Sequence, residues 1–384
     1  MDVAPDHEGK VFVAGHTVGL FLARYSGDGV LSWKKDFTGT STDNRINRIA
    51  VDHNGHVFIA GYITGEVDFG GGPLVSAGLK DIFLAKFDGD GTHLWSQRFG
   101  NEYDDEARGV AVDNAGNVVI TGDFGKAVDF GGGSLVNPDQ WGKPDAYLAR
   151  FDGEGKHLWS KRFGSFYEEW GRSVCIDPAG NVIATGDFRS SVDFGAGEIA
   201  GGDFYDVFLI KYSSDGNHVW SKGLRGPDTD LGFSVAADLQ GNVVIMGSFI
   251  ERIDLDGLEL DVQEYRRKLF LASYSGNGDL GWGRLLNSSH EMYRSGMDID
   301  LNGRVLITGT AYCKVDFGSG PYGTCDETYM FVAKFSNLGQ SIWSKGIPAG
   351  GQASRGFGIG ADSEGFVYAT GGHGSNAILT KYEP

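Results

Sequence analysis

Short apolar runs recur along this chain, each ended by an aspartate and followed by a glycine-bearing turn and a second apolar run. The copies read VAPDHEGKVFVAG, IAVDHNGHVFIAG, VAVDNAGNVVITG, VCIDPAGNVIATG, VAADLQGNVVIMG, MDIDLNGRVLITG and GIGADSEGFVYATG. Their aspartates are Asp6, Asp52, Asp113, Asp177, Asp238, Asp300 and Asp362, and beyond the first interval they stand 61 to 64 residues apart. A tryptophan late in each of the first six copies keeps the same period: Trp33, Trp95, Trp159, Trp220, Trp282 and Trp343. Two landmarks with one period define a repeat. Its seven copies span approximately 2–44, 45–106, 107–170, 171–231, 232–293, 294–354 and 355–384.

The pattern within one copy predicts four strands. Strand a is a run such as VAVD (110–113), and Asp-Asn-Ala-Gly (113–116) turns the chain into strand b, NVVITG (117–122). An aspartate that accepts backbone amides and a glycine free to take positive φ suit such a turn. Strand c is DIFLAKFD (81–88), and strand d carries the tryptophan, as in HLWSQRFG (93–100). Between c and d stand hairpin signals, FDGDG, FDGEG, YSSDG and YSGNG. Strands apolar on both faces belong to sheets covered on both sides. A β-helix would need much shorter coils, and a helical solenoid would need a 3.6-residue period. The predicted fold is all-β: a single seven-bladed β-propeller of four-stranded antiparallel blades.

The copies are unequal. The first and seventh have short b–c connections, GHTVG (15–19) and GGHGS (371–375), where copies two, three, four and six carry VDFGGGPL, VDFGGGSL, VDFGAG and VDFGSG. The fifth copy reads IDLDGLELD (253–261) at that place. The seventh stops after strand c, so the last blade lacks its outer strand within this chain. Two readings stand: a three-stranded closing blade, or a native polypeptide that extends upstream of Met1 and supplies the strand.

The VDFG segments, coupled to DIFLAKFD and HLWSKRFG, resemble the seven-bladed propeller repeats of bacterial extracellular proteins. The resemblance covers nearly the whole chain. It implies the fold and a place outside the cytoplasm or on the cell surface, and it carries no catalytic motif.

Composition narrows the partners. Glycine supplies 62 of 384 residues without a collagen period, which fits many tight turns. The net charge is −18, from 51 acidic and 33 basic residues, a field that repels nucleic acid and anionic lipid. No apolar stretch approaches a membrane span, so no membrane insertion is expected. Of three cysteines, Cys175 reads as an inert strand residue. Cys313 and Cys325 flank one loop, where they form either a local disulfide or two thiols.

Candidate chemistry sits in the d–a connections, which in a propeller share a face with the b–c connections. They hold carboxylates (Asp104, Asp105, Glu168, Glu169, Asp230), arginines (Arg108, Arg172) and rings (Tyr103, Tyr167, Trp170, Tyr293). Rings that stack, with acids and guanidiniums that bond hydroxyls or peptides, suit a glycan or protein ligand. The competing reading has the arginines and acids pairing with each other to hold the turns. Asp68, Asp129, Asp193 and Asp316 read as turn residues rather than metal ligands, and His93, His157 and His218 as structural repeats. No catalytic or cofactor motif occurs, so no cofactor is expected. The expectation is a monomeric recognition or scaffold module. The alternative is a carbohydrate-active enzyme using carboxylates such as Glu168 and Asp105 at the channel mouth.

Overall fold

The computed structural model describes residues 1–16, 19–139, 141–262, 265–286, 292–312, 315–318, 320–321, 323, 328–348, 354–373 and 376–384. No helix occurs among them. Six four-stranded antiparallel sheets and one three-stranded sheet follow in chain order. The third is representative: a is Asp105–Val112, b is Val118–Phe124, c is Asp145–Phe151 and d is His157–Phe163. Strand a of each sheet packs on strand a of the next. Strand a of the seventh, Ser354–Ala361, packs on strand a of the first, Asp2–Pro5, and closes the ring. The chain is a seven-bladed β-propeller.

Each repeated aspartate does the work its turn requires. The Asp52 carboxylate accepts the amides of Asn54 and His56 at 2.9 and 2.8 Å. The same pair of bonds recurs at Asp6, Asp113, Asp177, Asp238, Asp300 and Asp362. Gly55, at φ 78°, closes the turn in the left-handed region that favours glycine.

The VDFG segment is a plug between blades. In blade two it forms a small hairpin, Glu66–Asp68 with Pro73–Val75, inserted between b and c. Asp68 accepts the amides of Gly70 and Gly72 at 2.7 and 3.1 Å, and Asp129, Asp193 and Asp316 repeat the arrangement. The aspartate thus fixes a turn that drives the next phenylalanine inward. Phe69 lies 5.1 Å from Phe37, which ends strand d of blade one, and 4.7 Å from Phe83. Phe130 repeats this against Phe99 and Tyr147 at 5.1 and 4.8 Å. Phe194 does so against Phe163 and Phe208 at 5.4 and 5.0 Å. The rewritten fifth copy keeps the plug, with Ile253 and Leu255 fully buried.

His93 and His157 are structural, as their repetition suggested. Each ring lies over a plug glycine, so a Cβ at Gly71 or Gly132 would sit 2.3 or 2.1 Å from it. Cys175 lines the axial channel, a cavity of about 260 Å³ walled by the seven strands a, and burial pushes its thiol pKa up. Cys313 and Cys325, and therefore the disulfide question, lie outside the described residues.

Candidate binding face

The d–a and b–c connections meet on one face, as expected. The Thr40 amide, in a d–a connection, donates to the Glu66 carbonyl of the blade-two hairpin at 2.9 Å, and residues 39 and 67 form a β-bridge. A bulge in each complete strand a, for instance between Ala107 and Gly109, turns one side chain toward this rim. In blades three and four those side chains are Arg108 and Arg172.

Both arginines are engaged. Arg108 pairs with Asp123 through Nε and lies 2.9 Å from Glu106. Asn47 of blade two reaches across to the same Glu106 carboxylate at 2.9 Å. Arg172 pairs with Asp187, whose other oxygen accepts the Gly232 amide of blade five at 2.9 Å. Each ion pair lies within its own blade, with an acid mainly from strand b, and the bonds from Asn47 and Gly232 to those carboxylates stitch neighbouring blades.

Three carboxylates expected at the surface are buried without measurable exposure: Asp105, Glu169 and Asp230. Asp105 accepts the amides of Asn101 and Gly125 at 2.8 and 2.9 Å. Glu169 accepts the Ser165 amide at 3.0 Å and its hydroxyl at 2.6 Å. Burial, with Asp81, Asp145 and Asp206 respectively nearby, pushes them up to about 8, about 8 and about 9. They organise the first residues of strands a, and a ligand-facing role for them is corrected accordingly. A glycosidase pair of Glu168 with Asp105 loses its second member for the same reason.

The remaining candidates, Tyr293 of blade six apart, converge on blades three and four. Trp170 opens strand a of blade four and packs at a tilt on Tyr205, which opens its strand c, with ring centroids 5.0 Å apart. The Tyr205 hydroxyl donates to Glu168 at 3.2 Å. Arg172 lies 5.7 Å from the Trp170 ring. Arg189 sits 4.9 Å over Tyr167, and Lys143 approaches the same ring at 4.9 Å. Lys143 also stands 3.9 Å from Glu168. Its loop, the b–c connection of blade three, is held by Asp139, which accepts the amides of Trp141 and Lys143 at 2.8 and 3.0 Å. That turn leaves Trp141 77% exposed, and Phe166 matches it.

Tyr103 packs beneath this loop, since a Cβ at Gly142 would lie 2.9 Å from its ring. Asp104 is exposed beside it. Tyr293 belongs to strand a of blade six, Met292–Ile299, but its side chain lies outside the described residues. Trp141, Lys143, Arg189, Tyr205 and the exposed Phe204 lie on the b–c side of their blades, outside the d–a connections that the sequence pattern singles out. The signal was present: NPDQWGKP (137–144) is longer than the b–c segments of its neighbours.

No family model matches this chain. It is 24% identical over 223 residues to an uncharacterized WD repeat-containing protein, L264, of Acanthamoeba polyphaga mimivirus, covering 48% of this chain and 16% of that protein. It is 25% identical over 156 residues to the regulatory protein FlaEY of Caulobacter vibrioides, covering 40% and 16% respectively. The chain thus matches about a sixth of the length of either relative. Among solved structures it resembles the WD40 propeller of Doa1, with TM-score 0.56 and 12% identity over 100% of this chain and 92% of that one. Streptogramin B lyase gives 0.54 and 9%, over 99% and 93%. The Neurospora crassa Pan2 WD40 domain gives 0.52 and 9%, over 98% and 87%. At such identities the likeness establishes a WD40-like propeller fold and nothing finer.

Proposed function

We propose that this propeller is a non-catalytic recognition or scaffold module, whose ligand is a protein segment or glycan held on blades three and four. Its setting in this reading is the bacterial cell surface or exterior, a step that rests on the resemblance of the VDFG repeats alone. The observation that carries the binding role is the partly exposed group of Trp170, Tyr205, Tyr167, Arg189, Lys143 and Glu168. Aromatic rings with arginine are the side chains that dominate recognition surfaces, because they bury large area with few rotatable bonds. Trp141 and Phe166 extend the surface outward. WD40-like propellers as a class favour a macromolecular partner over a small substrate.

A glycan and peptide array identifies the ligand, with turnover monitored on every hit. Tyr167→Ala and Trp170→Ala should each weaken the leading hit by about thirtyfold, the effect of removing a hot-spot side chain worth ~2 kcal/mol. Phe166→Ala, far from any packed core, checks the same surface without risk to folding. Unchanged binding in all three would remove this face from consideration, and product formation would replace the module with an enzyme.

A further inference from the structure

The repeat sets two carboxylates against each other where blade two meets blade three and where blade three meets blade four. Asp81 opens strand c of blade two, and Asp105 opens strand a of blade three. A Cβ added at Gly100 would sit 2.2 Å from Asp81 Oδ1 and 2.7 Å from Asp105 Oδ2, so the two groups close on one point. Asp145, which opens strand c of blade three, faces Glu169 in the same way and raises its pKa. None of these four carboxylates has measurable exposure. In both copies strand d supplies a cation. Arg98 stands 3.3 Å from Asp81, and Arg162 pairs with Asp145 through Nε.

The junction of blades four and five keeps the acids and loses the arginine. Asp206, in strand c of blade four, and Asp230, just before strand a of blade five, are both buried, and Asp206 is the charge that acts most on Asp230. Strand pairing shows which residue stands for the arginine. Phe83 lies opposite Arg98, Tyr147 opposite Arg162 and Phe208 opposite Gly223. Ile199 and Phe188 fill the space over Gly223, where a Cβ would meet them at 2.7 and 3.3 Å. Arg225, two places along, is exposed and donates to the Ala200 carbonyl at 2.9 Å. Arg267 of blade five favours a charged Asp230 from a distance and donates to Ser248 at 2.8 Å. The Gly226 amide approaches Asp230 without meeting bonding geometry, so neither Asp230 oxygen has a hydrogen-bond partner among the described residues. By contrast, Asp105 accepts two amides, and Glu169 accepts an amide and a hydroxyl.

We propose that Asp206 and Asp230 bind a divalent cation of the calcium class, which stands where the two preceding junctions hold a guanidinium. The donors select the ion. Two carboxylates with no nitrogen or sulfur ligand suit a hard cation, and a doubly charged ion balances both acids where an arginine balances one. A buried carboxylate without a partner is costly, and this junction carries that cost unrelieved by its own strand d. Among the described residues no third acid, histidine or cysteine completes a cluster, so water and carbonyl oxygens fill the shell. Calcium accepts such an irregular set, whereas magnesium demands a near-ideal octahedron. Without the ion, the pair meets its deficit by holding protons. Solvent lies one turn away, since Gly202, whose amide donates to Asp206 at 2.6 Å, is exposed. The Asp230 amide donates to the Tyr205 carbonyl at 2.7 Å, so the ion also steadies the start of the strand that carries Tyr205.

Calorimetry with calcium chloride on the chelator-stripped 384-residue protein tests the site. One ion should bind per chain, with Kd of about 10⁻⁴–10⁻³ M, the range of sites with few charged ligands. Asp230→Asn and Asp206→Asn should each weaken binding at least tenfold, so either variant alone reads the site if the other fails to fold. Asp105→Asn, at a junction that keeps its arginine, should bind calcium like the parent. Magnesium chloride should bind the parent at least tenfold more weakly than calcium. Calcium should also slow hydrogen exchange at residues 202–206 and 228–232 of the parent and leave these amides unchanged in Asp230→Asn. No binding up to about 10 mM calcium, tenfold beyond the weakest sites of this kind, would overturn the proposal. So would full binding in a folded Asp230→Asn or Asp206→Asn protein, an equal loss in Asp105→Asn, or magnesium binding as tight as calcium.

Discussion

The junctions between blades two, three and four and the junction between blades seven and one are built from the same repeat with different parts retained. At the regular junctions, strand d ends in a phenylalanine that rests on the plug of the next blade, as Phe99 rests on Phe130. Its tryptophan covers the next turn. Among the described residues, the closing junction shows Asn376–Tyr382 as its outermost strand, no plug in blade one and an uncovered Gly29. What remains there is a patch of Val3, Val11, Val13, Phe21, Ala23 and Tyr368. Face-to-face packing of strands a to c therefore joins blade seven to blade one, and at the regular junctions the outer strand with its plug adds a second layer of adhesion.

Truncating a plug is the hardest blow to this comparison. Phe130 is 1% exposed and touches Phe99, Tyr147 and Phe151. Phe130→Ala should cost about 3–5 kcal/mol in urea unfolding, the range for a buried phenylalanine whose cavity cannot collapse. Phe21→Ala, in the wall of a groove of about 630 Å³ between blades one and seven, should cost less, because its surroundings can relax into the adjoining space. Equal losses would mean that the groove wall is as tightly held as a plugged junction.

The tryptophans sharpen the same contrast at smaller scale. Trp159 both covers Gly216 and donates to Ser214, whereas Trp343 packs at a tilt on Tyr382 and against the cluster of Leu306, Met330 and Val332. Trp159→Ala should therefore destabilise by about 1 kcal/mol more than Trp343→Ala, the worth of one hydrogen bond. Paired thermal melts measure the gap, and a larger loss at Trp343 would deny the contact between the indole and the next blade's c–d turn its energetic role.

The fold was legible because its devices are local and repeated. An aspartate three residues before a glycine specifies a tight turn, here the a–b turn of all seven copies and the c–d turn at Asp88 and Asp152, and its recurrence after every strand a specifies seven blades. The plug was legible only by half. Asp68 and its equivalents were readable as turn formers, but nothing in VDF alone tells that Phe69 crosses to the neighbouring blade. Burial of Asp105, Glu169 and Asp230 was invisible for a related reason. In the chain they sit among exposed acids such as Asp104, and the bonds from their amides to the Lys80, Pro144 and Tyr205 carbonyls, formed between blades, draw them inward. The binding face was found in part through Trp170, Tyr167 and Glu168. Its other half comes from b–c loops that approach only when the ring closes.

Those buried acids give the comparison a pH axis. In unfolded chain a carboxyl is ionised above about pH 4. Folded, Asp105 and Glu169 hold their protons to about 8 and Asp230 to about 9. Between these limits the folded state binds more protons than the unfolded one, so stability falls as pH rises from 5 toward 9. Between pH 7 and 8 each such group contributes a loss of at most about 1.4 kcal/mol. All three lie at the regular junctions, and the closing junction has Met1 and Asp2 of blade one in the corresponding stretch. Asp2 is also raised by burial, but Arg48 beside it favours its charged form. Asp230→Asn keeps the shape and removes one titration, so it should flatten the alkaline loss by about 1 kcal/mol over that unit and leave stability at pH 5 nearly unchanged. Urea unfolding of both proteins at pH 5, 7 and 8 measures this. Hydrogen exchange at pH 8 then locates it, because opening should grow at the junctions of blades two to five and not at the groove. Parallel pH profiles for the two proteins would show that Asp230 ionises freely, and would return the weakest point of the ring to the closing junction at every pH.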